Sequence, residues 1–211
     1  MKTTMKTPWI MAACLAVVAA GCVPSQDYPS RQTFGINPGA PEAVEKTQDF
    51  VLRVLPVRVA APFATQKFTY RIGEDQYETD YYNGFVDTPD RLLTASLTEW
   101  LAAAGVFRAV IGPDSEASAD FELETNVVEL YGDYTRPGLT IQPYAMAKVR
   151  FTVLQRQNNA TRMLFGFSTA RPVFLQDDKP ATLARGLGES WGHALTFLTQ
   201  QLSGATFPAT K

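Results

Sequence analysis

The residues that most resemble catalytic machinery are a serine and a histidine near the end of the chain. Residues 188–192 (GESWG) match the G-x-S-x-G pattern of a nucleophile elbow, and His193, the only histidine of the chain, follows directly. In such an elbow Ser190 would attack a carbonyl carbon while a histidine, oriented by an acid, accepts the serine proton. The pattern therefore raises the question of an acyl-transfer enzyme.

The order of residues along the chain argues against that enzyme. A nucleophile elbow places its serine between a strand and a helix, and the acid and the histidine come later in the chain. Here the motif lies inside a predicted helix, no acidic residue follows Glu189, and His193 is three positions from Ser190. The alternative is packing, because Gly188 and Gly192 let one helix face approach a neighbouring element closely. We therefore predict that the chain is not an enzyme and has no catalytic residues.

Composition excludes other kinds of chemistry. The 211 residues are 45% hydrophobic and 19% charged, with a formal net charge of −2, two cysteines and one histidine. This length suits one globular domain with a core. A nearly balanced charge does not favour nucleic-acid binding, and the few cysteine and histidine side chains cannot supply a metal site of those ligands. We expect no metal, no cofactor and no nucleic-acid partner.

Apolar patterning predicts two helices and a sheet. Leu93, Leu97 and Leu101 recur at helical spacing between Pro89, which suits a first helical position, and Gly105, which suits a helix end. A second leucine stripe predicts a helix over roughly 180–203. Runs rich in β-branched and aromatic residues predict seven strands at 50–59, 68–72, 77–82, 106–110, 121–131, 144–155 and 163–169.

These elements together predict the fold class. A change of apolar phase within the strand over 121–131 predicts a bulge or strong twist near Asn126. The order β-β-β-α-β-β-β-β-α, with hairpins between strands, predicts an α+β fold. We expect a mainly antiparallel sheet with both helices packed on one face.

The N-terminus is typical of a secretory signal. Lys2 and Lys6 precede an apolar run from Trp9 to Ala20. This run of about 12 residues spans roughly 18 Å as a helix, well short of the ~30 Å hydrocarbon core of a bilayer. We therefore predict that residues 1–21 are a cleaved signal peptide.

The predicted cleavage site resembles the lipobox of bacterial lipoproteins. Ala19, Ala20 and Gly21 precede Cys22, the cysteine that the resemblance assigns to acylation, for example by palmitate. Val23 follows instead of the aspartate that often retains lipoproteins at the inner membrane, which favours lipid anchoring in the outer membrane of a Gram-negative bacterium. Cleavage near Ala20 without lipidation is the alternative.

Three further segments follow from composition. Residues 22–48 are rich in proline and lack apolar periodicity, which predicts a lipidated cysteine on a flexible tether. Residues 49–204 carry the predicted elements and form the expected periplasmic domain. Residues 205–211 are predicted to be a C-terminal tail.

Aromatic residues are unusually dense between Phe68 and Pro89. We predict that half of them pack in the core and that the rest form a partner-binding or self-association surface, because exposed tyrosine is enriched at protein interfaces. The residues predicted for that surface are Tyr77, Tyr81, Tyr82 and Phe85.

The same segment carries a family resemblance. The order of a lipobox cysteine, a proline-rich tether and the motifs that follow it resembles the ABC-type transport auxiliary lipoprotein family, which includes the PqiC lipoproteins. The motifs are Phe68-x-Tyr70-Arg71, Tyr81-Tyr82-Asn83-x-Phe85, Pro89, Leu93 to Leu101 and Gly105-Val106-Phe107-x-x-Val110. Phe85 stands where many relatives have tryptophan, a change that keeps an aromatic side chain.

The resemblance implies a role in lipid transport. Members of that family are noncatalytic partners of systems in which an ABC permease and ATPase work with a periplasmic MCE-domain protein. It implies a subunit that docks the MCE component at the outer membrane, tethered there by its lipid anchor. Two alternatives stay open: a structural envelope lipoprotein that supports an outer-membrane assembly complex, and a domain that carries lipid in its own pocket.

Overall fold

The computed structural model describes residues 30–45, 47–135, 142–157 and 160–209. The predicted signal peptide 1–21 and Cys22 lie outside these residues. Within them the chain forms an α+β fold, which confirms the predicted class. The strands are β1 (Gln32–Phe34), β2 (Gln48–Val54), β3 (Arg58–Val59), β4 (Lys67–Arg71), β5 (Tyr77–Phe85), β6 (Phe107–Ile111), β7 (Phe121–Asp133), β8 (Tyr144–Gln157), β9 (Ala160–Ala170) and β10 (Val173–Phe174). The helices are α1 (Pro89–Ala104) and α2 (Pro180–Gly204), with a short 3-10 helix at Ala61–Phe63.

The long strand β7 organises a mixed sheet. Antiparallel pairing runs from β7 to β8 and on to β9, and these two ladders are the longest among the described residues. On its other edge β7 pairs in parallel with β2, β3 and β4 in turn. β5 pairs antiparallel with β4, and β10 pairs antiparallel with β8. Two further parallel pairs place β6 beside β2 and β1 beside β5. The parallel pairs were not predicted, because apolar periodicity carries no information on strand direction.

The predicted irregularity in this strand is present. The register between β7 and β8 shifts between Val127 and Glu129, close to the predicted position near Asn126. Before the shift Leu123 and Val127 are buried, and after it Leu130 is. An extra residue in one strand reverses the phase of its side chains, so both halves of β7 keep an apolar face toward the core.

Both helices cover the sheet with the predicted apolar stripes. α1 packs against β2, β3 and β6, and α2 packs against β7, β8 and β9. Two indole groups join the helices: Trp100 Nε1 donates to Thr199 Oγ1 at 3.0 Å, and Trp191 Nε1 donates to Ser96 Oγ at 2.9 Å. Gly105 ends α1 with a φ of 71°, a left-handed conformation that favours glycine.

The folded unit begins earlier than the predicted boundary at residue 49. Residues 31–45, here called the strap, lie on the domain although they were predicted as part of the tether over 22–48. β1 pairs with β5, the Val44 amide donates to the Ala104 carbonyl at 3.0 Å, and Phe34 and Ile36 pack against the core. The tether prediction for residues 22–29 falls outside the described residues.

The C-terminal boundary is also later than predicted. Phe207, assigned to the tail over 205–211, is buried. Its ring packs against Phe50, Phe107 and Phe121, with centroid separations of 4.8–6.0 Å. A single aromatic residue gives no periodic signal, so the sequence pattern could not place it in the core.

Candidate functional site

Ser190 lies on the face of α2 that meets the sheet, and its hydroxyl group is fully used by backbone partners. Its side chain is 1% exposed. Ser190 Oγ accepts a hydrogen bond from the Ala147 amide at 2.9 Å and donates one to the Arg171 carbonyl at 2.7 Å. A hydroxyl that must satisfy a buried amide and a carbonyl is not available as a nucleophile. Ser190 therefore fastens α2 to β8 and to the connection between β9 and β10.

The two glycines of the motif serve the packing role predicted for them. A Cβ atom on Gly188 would overlap the Asn37 carbonyl oxygen, and one on Gly192 would overlap the Pro38 carbonyl oxygen. The element that approaches α2 so closely is the strap. The G-x-S-x-G pattern is thus explained by one face of α2 meeting the sheet through Ser190 and another face meeting the strap through glycine.

His193 lies beside the motif at the boundary of the core. Its Nδ1 atom is buried and has no hydrogen-bond partner among the described residues. Burial lowers the pKa of His193, and the nearby positive charge of Arg171 lowers it further. A neutral imidazole at this position fits the packing, and neither hydrogen bond of Ser190 goes to it.

A polar cluster that sequence patterns did not reveal lies on the opposite face of the sheet. Gly132 lies under Leu183 of α2, so its neighbour Asp133 points away from the helices. Asp133 is 3% exposed and forms a salt bridge with Arg71, which also donates to the Tyr144 hydroxyl at 2.8 Å. Arg71 belongs to a quoted motif, whereas Asp133 follows 62 residues later, at the end of an apolar strand.

Charge and aromatic contacts both stabilise this cluster. Burial alone would raise the pKa of Asp133, but hydrogen bonds from Tyr144, Thr135 and Arg71 outweigh burial and hold that pKa below its usual value. Burial alone would lower the pKa of Arg71, but the hydrogen bond to Asp133 outweighs burial and raises that pKa above its usual value. The guanidinium group also stacks over the Tyr131 ring, 5.1 Å from its centroid. The pair is therefore ionised, and it positions the arginine at the surface of the sheet.

Tyr77 lies beside this cluster and lines one wall of a groove. Its ring is 44% exposed and packs edge to face on Phe63 and on Tyr131. The groove beside it has a volume of about 450 Å³ and is also lined by Pro62, Thr69, Thr79 and Glu129. Of the residues predicted for a partner surface, Tyr77 lies in this concave site.

Tyr81 and Tyr82 lie elsewhere on β5 and form a separate exposed pair. Tyr81 is 75% exposed and Tyr82 is 37% exposed, and their rings meet edge to face with centroids 5.0 Å apart. The Lys67 ammonium group lies 5.3 Å from the centroid of the Tyr81 ring. The structure therefore does not bring the predicted aromatic residues together into one surface.

Phe85 is in the core, and its assignment to a partner surface is corrected. Its side chain is 3% exposed and packs edge to face on Phe68, which in turn stacks on Phe34 of the strap. Phe85 is the last residue of β5, and its burial shows that the ring points into the core. The sequence motif that contains it thus combines one core residue with two surface residues.

The described residues contain no group of histidine, cysteine and acidic side chains that could hold a metal ion. Within the same residues, no helix has the length and apolar character needed to cross a membrane.

Comparison with known proteins decides the family. The family model described as the ABC-type transport auxiliary lipoprotein component matches residues 35–198. The chain belongs to this family. The match begins within the strap and ends within α2, so this family domain includes residues 35–48 of the segment that sequence patterns assigned to a tether. Among curated proteins, none matches the sequence.

Solved structures share the fold of this transport auxiliary lipoprotein. Protein XCC0632 of Xanthomonas campestris, from family DUF330, is 18% identical, with a TM-score of 0.60 over 84% of this chain and 92% of its own. An uncharacterized protein of known structure is 14% identical, with a TM-score of 0.64 over 83% of this chain and 100% of its own. At these identities the likeness concerns the fold.

Proposed function

We propose that this chain is a noncatalytic outer-membrane lipoprotein subunit of an MCE/ABC-type lipid transport system. In this proposal it docks the periplasmic MCE component at the outer membrane. The observation that supports it is the family match over residues 35–198, which covers most of the folded unit. The Ser190 hydroxyl group is held by two hydrogen bonds to the backbone, which is consistent with a binding role for the protein.

Anchoring at Cys22 gives the docking role its physical advantage. Each buried CH₂ of an acyl chain contributes about 0.8 kcal/mol, and two or more chains anchor a protein stably. A domain held at the membrane meets its partner at a raised effective concentration, so a weak contact suffices for docking. The anchored domain then holds the MCE component at the outer-membrane end of the lipid transport system.

The groove beside Tyr77 is the surface that we assign to the MCE partner. Partially exposed tyrosine and arginine are the side chains most often found at the energetic centre of protein interfaces. Here Tyr77 packs on Tyr131, over which the Arg71 guanidinium group stacks. These side chains are held by their neighbours, so little conformational entropy is lost when a partner binds them.

Site-specific crosslinking in the native envelope tests this proposal. A photoreactive residue replaces Tyr77, or Thr79 in the same groove, and adducts are identified by mass spectrometry. Glu124 is the control position, because it lies on the same sheet face and roughly 20 Å along β7 from Tyr131. An MCE-domain protein trapped from the groove and not from Glu124 would support the proposal. Adducts with a barrel protein or its assembly factors, without MCE components, would contradict it and favour the structural lipoprotein.

A further inference from the structure

β5 contains a protrusion whose shape is fixed by one carboxylate. Lys67 of β4 pairs with Gly84 of β5, and Thr69 of β4 pairs with Thr79 of β5. One residue of β4 and four residues of β5 lie between these two pairs, so β5 has three additional residues there. The Asp80 carboxylate accepts hydrogen bonds from the amides of Tyr82 at 2.8 Å and Asn83 at 2.9 Å. Bulges of this kind redirect side chains away from the sheet. We call residues 80–83 the tyrosine bulge.

The Asp80 carboxyl group that holds the bulge is ionised. Burial raises the pKa of Asp80, but hydrogen bonds from the Tyr70 hydroxyl and from Asn83 and Tyr82 outweigh it and lower the pKa below its usual value. The carboxylate therefore keeps all of these partners at neutral pH. Because these hydrogen bonds already fix the backbone of the bulge, Tyr81 and Tyr82 lie on a surface that is preorganised for binding.

The exposed groups around the bulge have the chemistry of a membrane interface. Tyr81 is 75% exposed, Val86 is 59% exposed, and Lys67 extends over the Tyr81 ring. Tyrosine is enriched at the depth of lipid headgroups, where its ring is in contact with acyl chains and its hydroxyl with water. A lysine beside such rings can reach a phosphate group. Glu78 of the same strand is exposed and carries the opposite charge to Lys67.

The described chain begins next to this patch, and the length of the preceding segment limits how far the patch can lie from the predicted lipid anchor. β1 pairs with β5 in parallel, with Gln32 opposite Asn83. Eight residues lie between the predicted lipidated Cys22 and Arg31, so nine residue steps connect them. Even fully extended, this length spans at most about 30 Å, and any shorter path brings the bulge nearer the lipid surface. The Val86 amide also donates to the Phe34 carbonyl, which ties the other end of the patch to the strap.

We propose that the tyrosine bulge lies against the lipid surface into which the acyl chains of Cys22 insert. Tyr81 and Tyr82 occupy headgroup depth, and Lys67 faces lipid phosphates. This inference rests on the proposed lipid anchor. It gives the domain a defined orientation on the membrane and leaves the Tyr77 groove to the protein partner.

Fluorescence quenching by lipids tests the orientation. Once Cys22 is acylated and the signal peptide removed, an introduced cysteine is the only free thiol of the chain. The environment-sensitive dye NBD is attached at Tyr81→Cys, or at Met163→Cys as a control. Met163 is 59% exposed and lies on β9, an element far from the bulge in the sheet order. The lipidated protein is placed in phosphatidylcholine vesicles with a minor fraction of phosphatidylglycerol and a nitroxide-labelled lipid.

The proposal predicts that lipid quenches the dye at position 81 at least about threefold more than at position 163. A second labelled variant, Val86→Cys, should give the same result. Adding Tyr81→Ser and Tyr82→Ser to that variant should reduce its quenching to the level at position 163. Equal quenching at 81 and 163 in vesicle-bound protein would overturn the proposal. The proposal would also be overturned if lipid did not quench the dye at position 81 and only a soluble MCE-domain protein changed its fluorescence, because the bulge would then be a protein-docking surface.

Vesicle flotation separates this inference from the proposed function. Protein that floats with the vesicles but shows no difference in quenching refutes the bulge contact and leaves the anchor in place. If protein isolated from the native envelope carries no acyl group on Cys22 and does not float, the anchor itself is refuted and the bulge contact with it. Far-UV circular dichroism of each labelled variant confirms that the fold is kept.

Discussion

Gly188 and Gly192 provide a direct test of how the strap is held. Replacing both by alanine places two methyl groups against the backbone carbonyls of Asn37 and Pro38, which cannot rotate away as a side chain would. Alanine improves helix propensity by about 1 kcal/mol at each position, whereas forcing a methyl group into packed structure costs about 1–3 kcal/mol. The net expectation is a loss of about 2 kcal/mol in the free energy of unfolding.

Urea unfolding followed by circular dichroism measures this loss. For a domain of this size it corresponds to a fall in Tm of about 4–8 °C. Hydrogen exchange of the peptide covering residues 34–45 should become faster, because the strap is the element that must move. The matched control is Gly204→Ala at the end of the same helix, where a new Cβ atom meets no heavy atom within 4 Å. We expect that control to be neutral or to stabilise by up to ~1 kcal/mol.

One result would refute the reasoning. If the double variant is stabilised like Gly204→Ala and strap exchange is unchanged, the strap does not depend on the glycines. The G-x-S-x-G pattern would then need another explanation.

Three other substitutions test the structural roles that the fold gives to single side chains. Ser190→Ala leaves the buried Ala147 amide without its acceptor, so urea unfolding should show a loss of about 1–3 kcal/mol. Asp133→Asn should lower stability by about 1–3 kcal/mol at pH 7, since Arg71 is only partly buried. Because the folded pKa of Asp133 is lowered, this difference should begin to shrink in acid unfolding as the pH falls below about 4, the pKa of an unfolded aspartate, and it should be lost only when the pH falls through the lower folded pKa. Phe85→Ala should cost about 3–5 kcal/mol in thermal unfolding, whereas a merely exposed side chain would cost almost nothing.

Local patterns predicted the elements whose determinants are local. The leucine stripe from Leu183 to Leu202 and the shift of phase within β7 both depend on neighbours in sequence, and both are present. β1 has three residues, which is too short for periodicity to show. Its position depends on glycines of α2 that come more than 150 residues later, so the strap could be placed only in three dimensions.

The candidate sites divide in the same way. Tyrosine density between Tyr77 and Tyr82 indicated exposed aromatic groups, and three of the four predicted side chains are exposed. Which of them share a surface depends on the Asp80 bulge, because it separates Tyr81 and Tyr82 from the Tyr77 groove. The Arg71–Asp133 pair joins two strands that are far apart in sequence, and a single sequence gives no signal for it.

The central claim is that this lipoprotein holds an MCE component at the outer membrane. Membrane fractionation by density in the native bacterium, with quantification of the MCE-domain protein, tests it most directly. We predict that the outer-membrane share of the MCE protein falls severalfold when Cys22→Ser replaces the natural chain. It should fall equally in a Tyr77→Ala strain with normal lipoprotein levels. An MCE distribution that is unchanged in both strains would contradict the account.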